Sequence, residues 1–432
     1  MKTSNETAVV NNDSKSASTV SFDEAFRFWL WLGFVSFGGP AGQIAIMQRE
    51  LVERKKWIDQ EDFLHALNFC MLLPGPEAQQ LATYNGWKLH GTKGGIAAGT
   101  LFVLPSVFIL LVLSYFYAAY GNLPLVSGAF DGLKAVVLAI VIEAVFKVGK
   151  RALKSWQNYA IAFAAFVSIY FLKIPFPLIV IGAAIIGVVN SRFQVSTPEI
   201  RDKSTSFKLS TFHFPLSTFA VFVVLWLIPL LLTIVVFGWR SLPMRVYLFF
   251  TQAAFVTFGG AYAVLAYVNQ AAVENFGWIT REQAVDGFAL AETTPGPLIM
   301  VLQNVGFMTG WNNAGNYNQT FFAIVCALLT TFATFLPSFL FIFTLAPFIE
   351  KLRDNKTLKS ALAGVTAAVV GVILTLALTF GATVILPDNE TNFFALIIGA
   401  SAFAALFRFN VNVLWLIFGG AFCGVLKVLL QL

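Results

Sequence analysis

The run Phe34-Val35-Ser36-Phe37-Gly38-Gly39 reappears as Phe255-Val256-Thr257-Phe258-Gly259-Gly260, 221 positions later (255 − 34). Trp57-Ile58 returns as Trp278-Ile279, and Pro74-Gly75-Pro76 as Pro295-Gly296-Pro297, at the same spacing. Leu104-Pro105-Ser106 returns as Leu336-Pro337-Ser338, 232 positions on (336 − 104). The extra residues are placed in the polar stretch 312–319. A chain with such landmarks folds as two like units joined by whatever separates them.

Composition fixes the medium of those units. Hydrophobic residues make up 58% of the 432 and charged residues 12%, against about 25% charged in a soluble domain. A secreted disulfide scaffold, a nucleic-acid binder and a disordered chain are excluded. About thirteen apolar segments follow one another, most of them long enough to cross ~30 Å of hydrocarbon as helices. The expected fold is an all-α polytopic membrane protein with two inverted-topology repeats, broken or re-entrant helices and a cytoplasmic N-terminus. Residues 1–20 read as a disordered cytoplasmic tail without the apolar core of a signal peptide. The first repeat spans 21–190, a cytoplasmic linker 191–214, an extra connecting transmembrane helix 215–242, and the second repeat 243–432.

The charges give the orientation. Suppose that the segments broken by Phe-Gly-Gly and Pro-Gly-Pro return to their own side. Five crossings then separate the repeats, and the odd number inverts them. An inside N-terminus then puts 22 of the 28 Lys and Arg on the inside. The exceptions are Lys134, Lys173, Arg240, Arg245, Arg281 and Lys427. If each broken segment crosses instead, the parity is unchanged and the inside count falls to 19. The positive-inside rule mildly prefers re-entrant hairpins, and both arrangements stay open.

The breaks are where chemistry is expected. Pro74 and Pro76 end one helical stretch and open another, and so do Pro295 and Pro297. Residues 76–90 and 297–311 then form half-helices whose N-termini point to mid-membrane from opposite faces. Free amides and the positive dipole end at such sites attract anions. A single break of this kind is an ordinary proline kink. Two at matched positions mark a transporter binding site. Gly38-Gly39 and Gly259-Gly260 form the second pair of breaks, and close helix packing is their plainer explanation.

The candidate binding set is Gly38, Gly39, Gln43, Asn68, Pro74, Gly75, Pro76 and Gln79 with Gly259, Gly260, Thr294, Pro295, Gly296 and Pro297. Neutral amides and hydroxyls suit a tetrahedral oxyanion, because they donate hydrogen bonds without trapping it. His65, Gln80, Thr83, Thr293, Gln303 and Asn304 cluster around the same breaks. Carboxylates inside a membrane are expensive and suggest function. Glu77, at a helix N-terminus, and Glu292, near a helix C-terminus, are the proton-coupling candidates. Glu143 lies in another span, and Lys134 is read as snorkelling. Arg49–Lys56 reads as a solvated interfacial turn. Gly95-x-x-x-Gly99 and Gly420-x-x-x-Gly424 fit helix packing.

Cys70, Cys326, Cys423, His65, His90 and His213 are scattered and form no metal-ligand spacing. No metal and no cofactor are expected. Without a nucleophile–base pair the chain is not read as an enzyme. A possible homo-oligomer and the lipid bilayer are the expected partners besides a solute.

The stretch GFVSFGGPAGQIAIMQRELVERKKWIDQEDFLHALNFCMLLPGPEAQQLATYNGWKLHGTKGG (33–95) resembles the first repeat of the chromate transporter family in its long, two-domain form. TFGGAYAVLAYV (257–268) and LAETTPGPLIMVLQNVGFMTGW (290–311) resemble the second. The resemblance implies proton-motive-force-powered export of chromate across the bacterial inner membrane, and chromate resistance. Sulfate is the look-alike ligand. A sulfate or oxyanion importer and an anion channel are the alternatives. A dianion leaving a negative-inside cell gains about 4.6 kcal/mol from ~100 mV, so efflux needs no proton on energetic grounds.

Overall fold

The computed structural model describes residues 20–193, 216–258, 260–346, 349 and 355–431. The expected tail 1–20 (apart from Val20), most of the expected linker 191–214, and Gly259 lie outside them. The described residues are helical nearly throughout, with no strand among them.

Four short helices open the first repeat. They are α1 (Phe22–Val35), α2 (Gly39–Gln48), α3 (Gln60–Cys70) and the first limb of α4 (Glu77–Tyr120), which ends where His90 and Gly91 leave helical geometry. Local chemistry sets their ends. Ser21 caps α1 through the Glu24 amide, and Pro40 sits in the first turn of α2. The bends at Phe-Gly-Gly and Pro-Gly-Pro reverse the chain. Lys55, beyond α2, reaches back to Glu24 at 3.4 Å, and Trp57 stacks edge-on against Phe28. Lys88 pairs with Asp62 at 2.5 Å, and Tyr84 lies against Phe69. Both pairs are therefore re-entrant hairpins that open on one face. His90 joins them there by its contact with the Val20 carbonyl.

The second repeat repeats the device with α9 (Leu242–Val256), α10 (Ala261–Asn269), α11 (Arg281–Thr293) and α12 (Val301–Asn312). Phe249 packs on Phe276 and Trp278, and Asn312 returns to Gln283 at 2.7 Å. These hairpins open on the opposite face. The second limb of α4 runs across to them, where Tyr115 meets Trp311. Helix α13 (Gln319–Leu345) runs back, so that a side chain added at Gly95 would strike Phe343. Between the repeats, α5 (Pro124–Ala152), α6 (Trp156–Tyr170), α7 (Phe176–Phe193) and α8 (Leu216–Phe237) complete the five crossings with that limb. The repeats are inverted, and both breaks re-enter. Asn312 and Gln319 bound the longer connection of the second repeat, where the first has only the bend at His90 and Gly91.

The long helices form the scaffold. After α14 (Lys356–Ile385) come α15 (Phe393–Phe409) and α16 (Val413–Leu429). Gly128 and Gly132 of α5 press backbone to backbone on Gly424 and Gly420 of α16. Gly364 of α14 presses likewise on Gly187 of α7. Small residues permit this closeness, and dispersion rather than hydrophobicity rewards it in lipid. The last helix of each repeat thus lies on the long helix of the other. Gly99 also packs closely, on the Thr83 side chain and Phe339.

Arg49–Arg54 is a π-helical turn with Arg49, Glu53 and Arg54 exposed, and Gln270–Asn275 is its counterpart. Glu50 is buried there at 4% exposure and paired with Arg54 at 2.9 Å. An ion pair with one desolvated partner needs close packing, which the sequence pattern did not signal.

Candidate functional site

The four hairpin tips meet in the middle of the molecule. The Gly296 amide donates to the Ser36 carbonyl at 2.7 Å, and the Gly75 amide to the Thr257 carbonyl at 2.8 Å. Each bond joins the Pro-Gly-Pro tip of one repeat to the Phe-Gly-Gly tip of the other. Gly75 has φ 119° and Gly296 φ 100°, conformations that suit glycine alone. Backbone outside a helix survives at this depth only when buried and bonded.

Side chains thicken the bracket. Gln43 Nε2 donates to the Gly296 carbonyl at 2.5 Å and the Ser36 carbonyl at 3.3 Å. Ser106 Oγ donates to the Pro295 carbonyl. Its counterpart Ser338 stands against Gly75, where a side chain added at Gly75 would meet its Oγ at 2.7 Å. Gln80 Nε2 donates to the Pro74 carbonyl at 2.7 Å. The arrangement is only pseudo-symmetric, because Val264 and Val301 stand where the first repeat has Gln43 and Gln80.

The expected site residues separate into two groups. Pro74, Gly75, Pro76, Pro295 and Pro297 are buried in the bracket, and Gly296 is half-buried. Their amides are engaged or, for the prolines, absent. The donor groups of Gln43 are also engaged, and Gln79 Nε2 donates to Thr83 Oγ1 at 3.1 Å. Thr294 bonds its own helix through the Ala291 carbonyl at 2.9 Å. The second group faces open space. Gly38 and Asn68 are exposed, and Gly39, Gly260, Glu77 and Glu292 are half-buried. Gly38 and Gly260 are the N-caps of α2 and α10. Glu77 opens the first limb of α4.

A charged stripe on α5 approaches the tips. Glu143, Lys147 and Arg151 recur every fourth residue and so share a face. Glu143 is buried and pairs with Lys147 at 2.8 Å. Glu143 is also the carboxylate that Glu292 faces. The Arg151 guanidinium lies 3.2 Å from Met71 Sδ, beside the tip, and faces Glu77.

Lys134 does not snorkel. It lies 3.3 Å from Asp131 and 3.8 Å from Asp286, while Tyr117 donates to Asp286 at 2.7 Å. Snorkelling loses here to a desolvated carboxylate on the other repeat. Sequence reading passed over Asp286, Arg151, Ser106 and Ser338. Ser106 and Ser338 were visible as the matched Leu-Pro-Ser landmark. Asp286 could have been found as a carboxylate inside the apolar second repeat.

Two inverted helical repeats whose re-entrant hairpins meet tip to tip at mid-depth define a polytopic membrane transporter. Among the described residues, five helices are long and apolar enough to cross a membrane, and several shorter apolar helices accompany them. The chain belongs to the chromate transporter family, whose model matches residues 24–188 and 244–425, one match per repeat. It is 31% identical to the chromate transport protein of Pseudomonas aeruginosa over 365 residues, 82% of this chain and 80% of that one. It is 27% identical to the chromate transport protein of Cupriavidus metallidurans over 362 residues, 83% and 82% of the two. The uncharacterized transporter YwrB of Bacillus subtilis matches at 28% identity over 179 residues, 40% of this chain but 91% of YwrB. No solved structure matches.

Proposed function

We propose that this chain exports chromate from the cytoplasm across the bacterial inner membrane, driven by the membrane potential and the proton motive force, and thereby confers chromate resistance. The observation that carries the reading is the meeting of four half-helix N-termini, those of α2, the first limb of α4, α10 and the turn leading into α12. Their dipoles place partial positive charge at one point, which suits a divalent oxyanion that must also leave. Gly38, Gly39 and Gly260 supply backbone amides there, and Asn68 a side-chain donor. Gln43, Gln79, Thr294 and the two Pro-Gly-Pro tips shape the site around them. Glu77 and Glu292 handle protons. Arg151 draws the anion in.

Lys and Arg support one orientation. Lys55 and Lys88 belong to the face that holds the first-repeat hairpin mouths. Lys173, Arg245 and Lys427 belong to the other. The 22 of 28 Lys and Arg that the crossing order assigns to the first face support its reading as cytoplasmic. Uptake of labelled chromate into inside-out vesicles, with sulfate as competitor, tests the function. Saturable uptake that a reversed potential abolishes is the expected result. Equal competition by sulfate would favour a general oxyanion carrier, and non-saturable flux a channel.

A further inference from the structure

The charged stripe of α5 runs past both Pro-Gly-Pro tips. Glu143 faces Glu292, three residues before Pro295, and Tyr262. The Arg151 guanidinium lies 3.2 Å from Met71 Sδ, beside the tip of the first repeat. Lys147 stands between the two, about 6 Å along the helix axis from each. Its ammonium rests on Glu143 Oε1 at 2.8 Å. The next lysine, Lys150, is turned elsewhere and lies over the Phe407 ring at 5.2 Å.

The pair is unevenly buried. The Glu143 side chain is 11% exposed and that of Lys147 72%. A desolvated carboxylate is held in place by its need for a partner. The lysine carries its charge on a flexible four-carbon stem that is already largely outside, so it is the partner that can move. The scaffold does not itself call for these charges. In the second repeat α14 takes the place of α5, 232 positions on (375 − 143), and Thr375, Thr379 and Thr383 stand where α5 has Glu143, Lys147 and Arg151. These hydroxyls donate to carbonyls of their own helix at 3.2, 2.9 and 3.0 Å. A neutral stripe thus packs at the matched positions, and the charges of α5 serve something other than packing.

We propose that Lys147 is a ligand of the transported oxyanion, held on Glu143 until the anion arrives. A tetrahedral dianion competes with Glu143 for the ammonium, because both accept charge-assisted hydrogen bonds. Lys147 then swings from the carboxylate to the anion, and a full positive charge joins the partial charges of the helix ends. When the anion departs, the lysine returns to Glu143, so the site is not left with a permanent trap. This inference rests on the oxyanion reading of the site given above and adds a binding residue to it.

Calorimetric titration of the full chain in detergent with sulfate and with chromate, at fixed pH and ionic strength, tests the exchange. Lys147→Gln should weaken binding of both at least about tenfold, the loss of one charge-assisted hydrogen bond, and Lys147→Arg should keep most of the affinity. Glu143→Gln should act in the opposite sense and tighten binding about threefold or more, because the lysine no longer has a competitor. A purely structural ion pair would weaken binding in both variants. Should Lys147→Gln strand the buried carboxylate and fail to insert, Glu143→Gln with Lys147→Gln removes that charge, and the same tenfold loss is expected relative to Glu143→Gln alone. Unchanged or weaker binding by Glu143→Gln, or no loss on removing Lys147, would overturn this proposal and leave the oxyanion reading intact. An unaltered protein that binds neither oxyanion would overturn both.

Discussion

Gly296 of the second repeat donates its amide to the carbonyl of Ser36 of the first, and Gly75 returns the same bond to Thr257. The repeats are therefore stitched by main chain at the point where both lose helical structure. Such a junction tolerates little change, because each bond satisfies a polar group that no water or lipid would otherwise reach.

Replacing Gly75 or Gly296 with Ala forces a side chain into a left-handed conformation, costing about 1–2 kcal/mol. It also drives that side chain against Ser338 or Ser106. Transport should fall while insertion persists. Gly38, at φ 87°, carries the same backbone strain, but an added side chain meets nothing within 4 Å, so Gly38→Ala should be milder. Vesicle flux normalised to protein level compares the three, and a Gly38→Ala defect as large as the others would show that bracket geometry is not what matters.

Gln43→Val copies the residue that the second repeat carries at the matched position. The buried Gly296 carbonyl then loses its side-chain donor, and the folded state should lose about 1–3 kcal/mol. Thermal unfolding in detergent would register this as a lower midpoint. An unchanged midpoint would mean that the Ser36–Gly296 backbone bond holds the tips by itself.

Glu292→Gln removes a carboxylate that faces Glu143. If Glu292 handles protons, chromate flux in proteoliposomes loses its dependence on pH but keeps its dependence on potential. Retained pH dependence would remove Glu292 from the proton path and leave Glu77 to be examined in the same way.

Gly132→Ala places a methyl on the Gly420 carbonyl, whereas Gly182→Ala meets open space. The first should destabilise the fold by about 1–3 kcal/mol through overpacking. The second should be neutral or gain up to about 1 kcal/mol of helix propensity. Paired melting curves of the two variants decide it.

Much of this architecture was legible in the sequence. The matched landmarks located both tips, and the parity of apolar segments gave the inversion. The Lys and Arg count leaned toward the re-entrant form that the Lys88–Asp62 pair reveals. Less legible was which donors remain free. Gln43 looks like a ligand in a one-dimensional reading, but its partners Ser36 and Gly296 come together only when the hairpins fold back. Lys134 and Asp286 are 152 positions apart (286 − 134), and no local periodicity relates them. The π-helical turns carry no composition signal either, since their geometry follows from how α2 and α10 meet their neighbours.

The exchange of last helices has a consequence for how such a chain is made. Helix α16 covers α5, and α7 covers α14, so neither half can complete its own interior. A chain severed between residues 193 and 216 should yield two fragments that are degraded when expressed singly and rescued when expressed together. Translation then imposes an order: α5 waits for α16 to emerge nearly 300 residues behind it, and the first half must persist in the membrane unfinished.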